Sequence, residues 1–162
     1  MSTEAAITTE ALYAEHWQFV FQLLASFGVF GHAQEDVAQA VWIQVHRQIG
    51  TYDPGRQTPR AWITGFVRRC AANYRRVRRR CLESPCPEPG FEMAAPGPSP
   101  EGVALLRTIE QAIPDEEQRE AFVLFTCHEL TIEEIAAVTG LSKRQVEWRL
   151  QQARERLWTW EP

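Results

Sequence analysis

The chain has 162 residues, of which 44% are hydrophobic, and its formal net charge at pH 7 is −4. This length and apolar content suit one domain or two small ones with buried cores, and they exclude a chain that is disordered throughout. The charge is uneven, because ten arginines and six acids precede residue 83. An acidic total therefore does not exclude a front half that binds nucleic acid.

The start of the chain, MSTEAAITTEA, lacks the basic residues and the apolar core of an export signal. No apolar run approaches the roughly 20 residues that a membrane span needs. We therefore expect a cytoplasmic protein whose four cysteines are reduced thiols: Cys70, Cys81, Cys86 and Cys127. Cys81 and Cys86 have no second ligand pair beside them, so they only weakly indicate zinc or redox chemistry, and no cofactor is predicted.

Two helices are predicted before residue 50. The first opens at Thr9 and ends at the glycines Gly28 and Gly31, with apolar spacing that places on one face Leu12, His16, Phe19, Val20, Leu23, Leu24 and Phe27. We expect His16 and His32 to be surface or capping residues, because no ligand-forming residue stands at metal-binding spacing beside them. The second helix is predicted from Ala33 to Ile49, with a buried face of Val37, Val41, Val45 and Ile49 and a polar face that includes Asp36, Gln39 and Arg47.

An arginine-rich helix follows. Thr58 can cap it and Pro59 suits its first turn, and the run continues to about Arg80 without another breaker. Its apolar face carries Trp62, Ile63, Phe66, Val67, Cys70, Ala71 and Tyr74, and its other faces carry Arg60, Arg68, Arg69, Arg75, Arg76, Arg78, Arg79 and Arg80. Because no acid balances these arginines, the pattern favours contact with phosphates. The preceding Asp-Pro-Gly turn brings Tyr52 and Arg56 to the helix start, where Tyr52 can either pack or stack on an unpaired base.

Residues 83–100 contain most of the ten prolines and predict an extended tether rather than a helix or strand. Ser99 and Pro100 then restart the helical pattern, and Pro114 begins a further helix. Two capping boxes follow, Thr131 with Glu134 and Ser142 with Gln145, separated by Gly140. A short helix, a glycine turn and a longer capped helix are typical of a helix-turn-helix, and a hairpin of pure packing is the alternative.

The assembled segments resemble bacterial sigma factors of the extracytoplasmic-function (ECF) type in the sigma-70 family. The segment EDVAQAVWIQVHRQIGTYDPGRQTPRAWITGFVRRCAANYRR is similar to sigma region 2, and IPDEEQREAF through LTIEEIAAVTGLSKRQVEWRLQQARERL is similar to sigma region 4. The resemblance implies an all-α fold of two small helical domains. It places a three-helix region 2 in residues 1–82, a Pro-rich flexible linker in 83–100, and a region 4 with a helix-turn-helix in 101–162.

The same resemblance implies that the chain binds core RNA polymerase and directs it to promoters. The positions that match the polymerase-facing surface are Asp36 and Gln39. Those that match the reader of the minus-ten element are Tyr52, Arg56, Trp62, Arg68, Arg69, Asn73 and Arg76. Those that match the reader of the minus-thirty-five element are Lys143, Arg144, Gln145, Glu147, Trp148 and Arg149. An anti-sigma factor is a further expected partner.

Four positions depart from the family pattern. Ala40 stands where an acid is frequent, Gly65 and Arg69 replace an arginine and an asparagine, and Trp148 replaces a small residue. A stand-alone helix-turn-helix regulator is the alternative function, and it would need a dimer and no polymerase. An enzyme is not expected, because the sequence contains no P-loop, HExxH motif or nucleophile elbow.

Overall fold

The computed structural model of the chain describes residues 7–82 and 99–160, which form seven α-helices and no β-strand. The predicted all-α fold is confirmed. By its contacts the chain divides into two compact units, residues 1–97 and 98–162. The predicted tether lies almost entirely outside the described residues, so the boundaries 1–82, 83–100 and 101–162 stay a prediction.

The first unit is a bundle of three helices, α1 (Thr9–Ser26), α2 (His32–Gln48) and α3 (Pro59–Leu82), each packed against the other two. Helix α1 begins where expected, because the Thr8 side chain accepts a hydrogen bond from Ala11 N. The second helix begins and ends one residue earlier than predicted, and its end is followed directly by a 3-10 turn, Ile49–Thr51.

The core of this unit is built mostly from the predicted apolar faces, to which Val29 and Ala61 are added. Its fully buried apolar residues are Val20, Leu23, Leu24, Val29, Val41, Val45, Ala61, Ile63, Val67 and Ala71. Burial along α3 stops at Ala71, and every residue from Ala72 to Arg80 is exposed or half-buried. We call Ala72–Arg80 the basic end of α3. It continues the helix by about 13 Å beyond the last fully buried residue, at 1.5 Å per residue.

Three polar residues are buried in this bundle: His16, Gln34 and Thr64, whose hydroxyl donates to Arg60 O at 2.8 Å. His16 was expected at the surface or in a cap but is buried on α1, because it lies on the same helical face as Leu12 and Phe19. Its Nε2 lies 3.8 Å from Glu15 Oε1 and has no hydrogen-bond partner among the described residues, and burial lowers the pKa of His16. Gln34 is fully buried and donates from Nε2 to Phe21 O at 2.6 Å, which joins α2 to α1.

The second unit contains α4 (Pro100–Ala112), α5 (Glu116–Thr126), α6 (Ile132–Thr139) and α7 (Lys143–Thr159). Helix α7 packs against the other three. Each helix has a side-chain N-cap that accepts a backbone hydrogen bond, supplied in chain order by Ser99, Asp115, Thr131 and Ser142. The fully buried residues of this unit include Ile113, Leu124, Ile135, Val146 and Ala153.

Candidate nucleic-acid interface

An aromatic cluster lies at the start of α3. Tyr52 is half-buried, its ring centroid lies 4.9 Å from that of Trp62, and its hydroxyl donates to Gln57 O at 3.2 Å. Burial and the neighbouring Asp53 carboxylate raise the pKa of Tyr52, so the hydroxyl remains protonated as this donor. Trp62 is only 9% exposed and meets the Phe66 ring edge-on at 4.9 Å. Tyr52 therefore packs on Trp62 while part of its side chain stays exposed.

The turn before α3 presents Arg56. Asp53 Oδ1 accepts from Gly55 N at 2.9 Å, and Asp53 O accepts from Arg56 N at 3.1 Å. These bonds close the turn that the Asp-Pro-Gly sequence predicts. The Arg56 side chain is exposed beside the aromatic cluster, and none of its side-chain atoms is bonded within the described ranges.

The exposed face of α3 positions two of its predicted DNA-binding side chains through local contacts. The Arg69 guanidinium lies over the Phe66 ring at 4.7 Å, and Arg76 donates to Asn73 Oδ1 at 2.8 Å. Arg68 is half-buried on the neighbouring face. Helix α3 contains eight arginines and no acidic residue, so the phosphates of a nucleic acid would meet dense positive charge along its length.

A second exposed face belongs to α2. Asp36 and Gln39 are both exposed, and neither has a polar partner in the part of the chain that the structure describes. Ile43 lies one turn beyond Gln39 and is 52% exposed. Ile43 was not predicted as a contact residue. Its spacing of seven residues from Asp36 and four from Gln39 places it on the same face of α2 as these two. An exposed apolar side chain between polar ones is a typical centre of a protein contact.

The helix-turn-helix consists of α6, the turn at Gly140 and α7. Gly140 has φ 75°, a left-handed conformation that ends α6 and that a residue with a Cβ rarely adopts. Both predicted capping boxes are present. Thr131 Oγ1 accepts from Glu134 N at 3.2 Å, and Ser142 Oγ accepts from Gln145 N at 3.3 Å. The N-terminal turn of α7 is thus held in a fixed direction.

Three of the predicted minus-thirty-five readers point outward from this turn. Arg144, Glu147 and Trp148 are exposed, Trp148 to 55%, and none of them has a polar partner among residues 7–82 and 99–160. They share the face of α7 opposite Val146 and Leu150, which pack into the unit. The guanidinium of Arg144 can hydrogen-bond to the edge of a guanine in a major groove, and the carboxylate of Glu147 can accept from the edge of a cytosine.

The other three predicted readers are engaged inside the unit. Gln145 Oε1 accepts from Ser142 N at 2.9 Å as the second half of the capping box. Lys143 Nζ donates to Glu133 Oε1 at 2.7 Å. Arg149 is ion-paired with Glu117 of α5, and its side chain is only 17% exposed. Lys143 and Gln145 are nevertheless exposed, so of the six residues Arg149 alone is not on the accessible surface.

The described residues contain no group of three or more His, Cys, Asp or Glu side chains that could hold a metal. Within the same ranges Cys70 is a half-buried free thiol, whose pKa is raised by burial, and Cys127 is an exposed one. The Cys81 side chain and Cys86 lie outside what the structure describes. None of the described helices is both long enough and apolar enough to cross a bilayer.

Comparison with known proteins decides the family. Residues 12–81 match the family described as Sigma-70 region 2, and residues 115–157 match Sigma-70, region 4. The RNA polymerase sigma factor CarQ of Myxococcus xanthus is 30% identical over 153 residues, which cover 91% of this chain and 86% of CarQ. The chain belongs to the sigma-70 family. The prediction made from the two quoted segments is confirmed.

A second relative of this sigma factor is of the ECF type. The ECF RNA polymerase sigma factor SigE of Mycolicibacterium smegmatis is 28% identical over 155 residues. The matched part is 91% of this chain but 59% of SigE, so the chain spans less than two thirds of the length of that relative.

Two solved structures share the fold. CnrH, solved in complex with the cytosolic domain of CnrY, is 27% identical with a TM-score of 0.67, and the match covers 92% of this chain and 84% of CnrH. The sigma factor RpoE from Bartonella quintana, solved with the anti-sigma factor NepR, also has a TM-score of 0.67, at 22% identity, with 91% of this chain and 92% of RpoE covered.

Proposed function

We propose that this sigma factor binds core RNA polymerase and directs it to one class of promoters. The observation that carries the proposal is the presence on one chain of both matched regions, each with exposed basic side chains on a helix that its own unit holds in place. The match to region 2 disfavours a stand-alone helix-turn-helix regulator, which has no use for such a region. The protein acts in the cytoplasm, by binding and without catalysing a reaction.

In this proposal the exposed face of α2 contacts polymerase. Asp36 and Gln39 supply a charge and an amide, and Ile43, one turn beyond Gln39 on the same face, supplies an apolar contact. Ala40 on the same face has no charge, so the contact depends more on Ile43 than it would with an acid at that position.

The first unit opens the minus-ten element. Arg56, Arg68, Arg69 and Arg76 hold phosphates, and Asn73 lies among them on the exposed side of α3. A base that leaves the duplex costs a few kcal/mol of stacking, which contacts with the accessible edge of Tyr52 and with these arginines offset. We assign Trp62 a supporting role, because it is buried beneath Tyr52 rather than free to stack on a base.

The second unit reads the minus-thirty-five element in duplex DNA. The N-terminal turn of α7 enters the major groove, as the second helix of a helix-turn-helix does. Arg144 and Glu147 contact base edges, and Trp148 contacts the methyl group of a thymine. Gln145 and Arg149 instead position α7. Gln145 caps its N-terminus by accepting from Ser142 N, and Arg149 pairs with Glu117 of α5.

An anti-sigma protein is the proposed inhibitor. CnrH, which shares this fold at 27% identity, was solved with a bound protein domain. We expect the sigma factor, recovered from its native cells under non-inducing conditions, to carry a further protein besides polymerase subunits. Recovery with polymerase subunits alone would contradict this part of the proposal.

Reconstitution with core RNA polymerase tests the main proposal. Run-off transcription over a library of genomic fragments is expected to start at a small set of templates only when the sigma factor is present. Arg144→Ala is expected to reduce initiation at those templates by about 5- to 150-fold, the range that corresponds to the 1–3 kcal/mol of one good base contact. A chain that neither joins core polymerase nor supports initiation from any template would refute the proposal.

Gln39→Ala and Ile43→Ala are expected to weaken binding to core polymerase. The matched control is Gln18→Ala, which truncates an exposed glutamine on α1 instead of α2. Equal binding by all three variants would show that α2 does not face polymerase.

A further inference from the structure

The unit proposed to read the minus-thirty-five element is acidic. Residues 99–160 contain seven basic and eleven acidic side chains. Most protein modules that bind DNA carry a basic surface, because neutralised phosphates release counterions and supply much of the affinity. Acidic side chains near the proposed DNA-contacting residues therefore compete with the DNA phosphates for the few lysine and arginine side chains of this unit.

One such competition is visible at the first residue of α7. Lys143 Nζ donates to Glu133 Oε1 at 2.7 Å, and the two side chains are 62% and 61% exposed. Glu133 lies in the first turn of α6, so the ion pair joins the two helices of the helix-turn-helix. The hydrogen bond from Lys143 lowers the pKa of Glu133, so this carboxylate is ionised near neutral pH.

The second ion pair of α7 differs in accessibility. Arg149, paired with Glu117, is only 17% exposed and lies between α7 and α5. We expect Arg149 to keep its ion pair with Glu117 when DNA binds. Lys143 is free to exchange its partner, because both members of its pair face solvent.

The docking of a helix-turn-helix places Glu133 close to DNA. The N-terminal residues of the second helix reach the base edges, while the first helix crosses the backbone. Lys143 is the first residue of that second helix, and Glu133 is bonded to it. A carboxylate in this place lies within a side-chain length of the phosphates that Lys143 could bind.

We propose that Glu133 limits the affinity of region 4 for DNA by holding Lys143 back from a phosphate and by placing a negative charge beside that phosphate. The inference rests on the proposed function and adds a residue that sets specificity. Phosphate contacts carry no sequence information. Glu133 weakens that part of the binding and leaves the base contacts of Arg144 and Glu147 to decide which duplexes are held.

The test measures binding of the full chain to a fluorescein-labelled DNA duplex of mixed sequence by fluorescence anisotropy, between about 50 and 200 mM salt. Glu133→Gln is expected to tighten binding about 1.4- to 5-fold, the range that one exposed ion pair spans. It is also expected to steepen the dependence of log K on log salt by about 0.9, the value of one added phosphate contact. The control is Glu110→Gln, which removes the same charge from an exposed position on α4.

Lys143→Gln completes the design. In the Lys143→Gln background, Glu133→Gln is expected to lose the added salt dependence and most of the gain in affinity. The inference is overturned if Glu133→Gln and Glu110→Gln give the same dependence of DNA affinity on salt. It is also overturned if Glu133→Gln, in the Lys143→Gln background, still gives the same gain in affinity and the same salt slope. Either result leaves the proposed function standing if reconstituted polymerase still initiates with this sigma factor, so the two failures are distinguishable.

Discussion

Truncating Ile135 tests whether the second unit depends on its own core. The side chain is completely buried on α6. Replacing a buried isoleucine with alanine typically costs about 2–5 kcal/mol, through lost burial and the remaining cavity. A unit of about 60 residues has a stability of roughly 3–9 kcal/mol, at 0.05–0.15 kcal/mol per residue. Ile135→Ala therefore removes about half of the stability of this unit.

The assay is chemical denaturation followed by far-UV circular dichroism, because both units are helical. The matched variant is Ile63→Ala, which truncates the same side chain at a completely buried position on α3 in the first unit. We expect each variant to shift the unfolding of its own unit. With core polymerase, Ile135→Ala is expected to bind but to lose its preference for the minus-thirty-five sequence. A single transition that both variants shift equally would refute the reasoning.

Three further predictions use the same denaturation assay. Ser142→Ala removes the N-cap of α7 and is expected to cost about 1 kcal/mol, and an unchanged midpoint would contradict this. Gly140→Ala places a Cβ at φ 75° and is expected to cost about 1 kcal/mol, with Gly140→Asn milder because asparagine tolerates this conformation. Because burial lowers the pKa of His16 in the folded state, the unfolded chain takes up the proton first, so stability falls as pH drops below about 6.5, by at most about 1.4 kcal/mol per pH unit. His16→Phe should abolish that loss, and wild-type pH dependence in this variant would contradict the assignment.

Local signals in the sequence predicted most of the fold. Thr58 and Pro59 mark the start of α3, and the two capping boxes mark the starts of α6 and α7, because a cap is formed by residues within one turn of each other. The burial of His16 was missed. The spacing of its neighbours placed it on the apolar face, but a histidine at such a position can also lie at the edge of that face.

The candidate site was less predictable, because its decisive contacts join distant parts of the chain. Arg149 meets Glu117 from 32 residues away, and Lys143 meets Glu133 across the Gly140 turn. No periodicity in a single sequence specifies such pairs. The role of Gln145 could have been foreseen, since a glutamine three residues after a capping serine is already committed to the cap.

Helix α3 has one more consequence for promoter choice. Trp62, beneath the aromatic cluster, and Arg80, at the far end, are 18 residues apart on one uninterrupted helix, which makes about 27 Å at 1.5 Å per residue. That length equals about eight nucleotides at 3.4 Å each. The length of a continuous helix is fixed. A promoter with one extra nucleotide between the opened base and its upstream phosphates would therefore not place both groups against α3 at the same time. We therefore expect this sigma factor to select promoters by the spacing of contacts along the DNA as well as by base sequence.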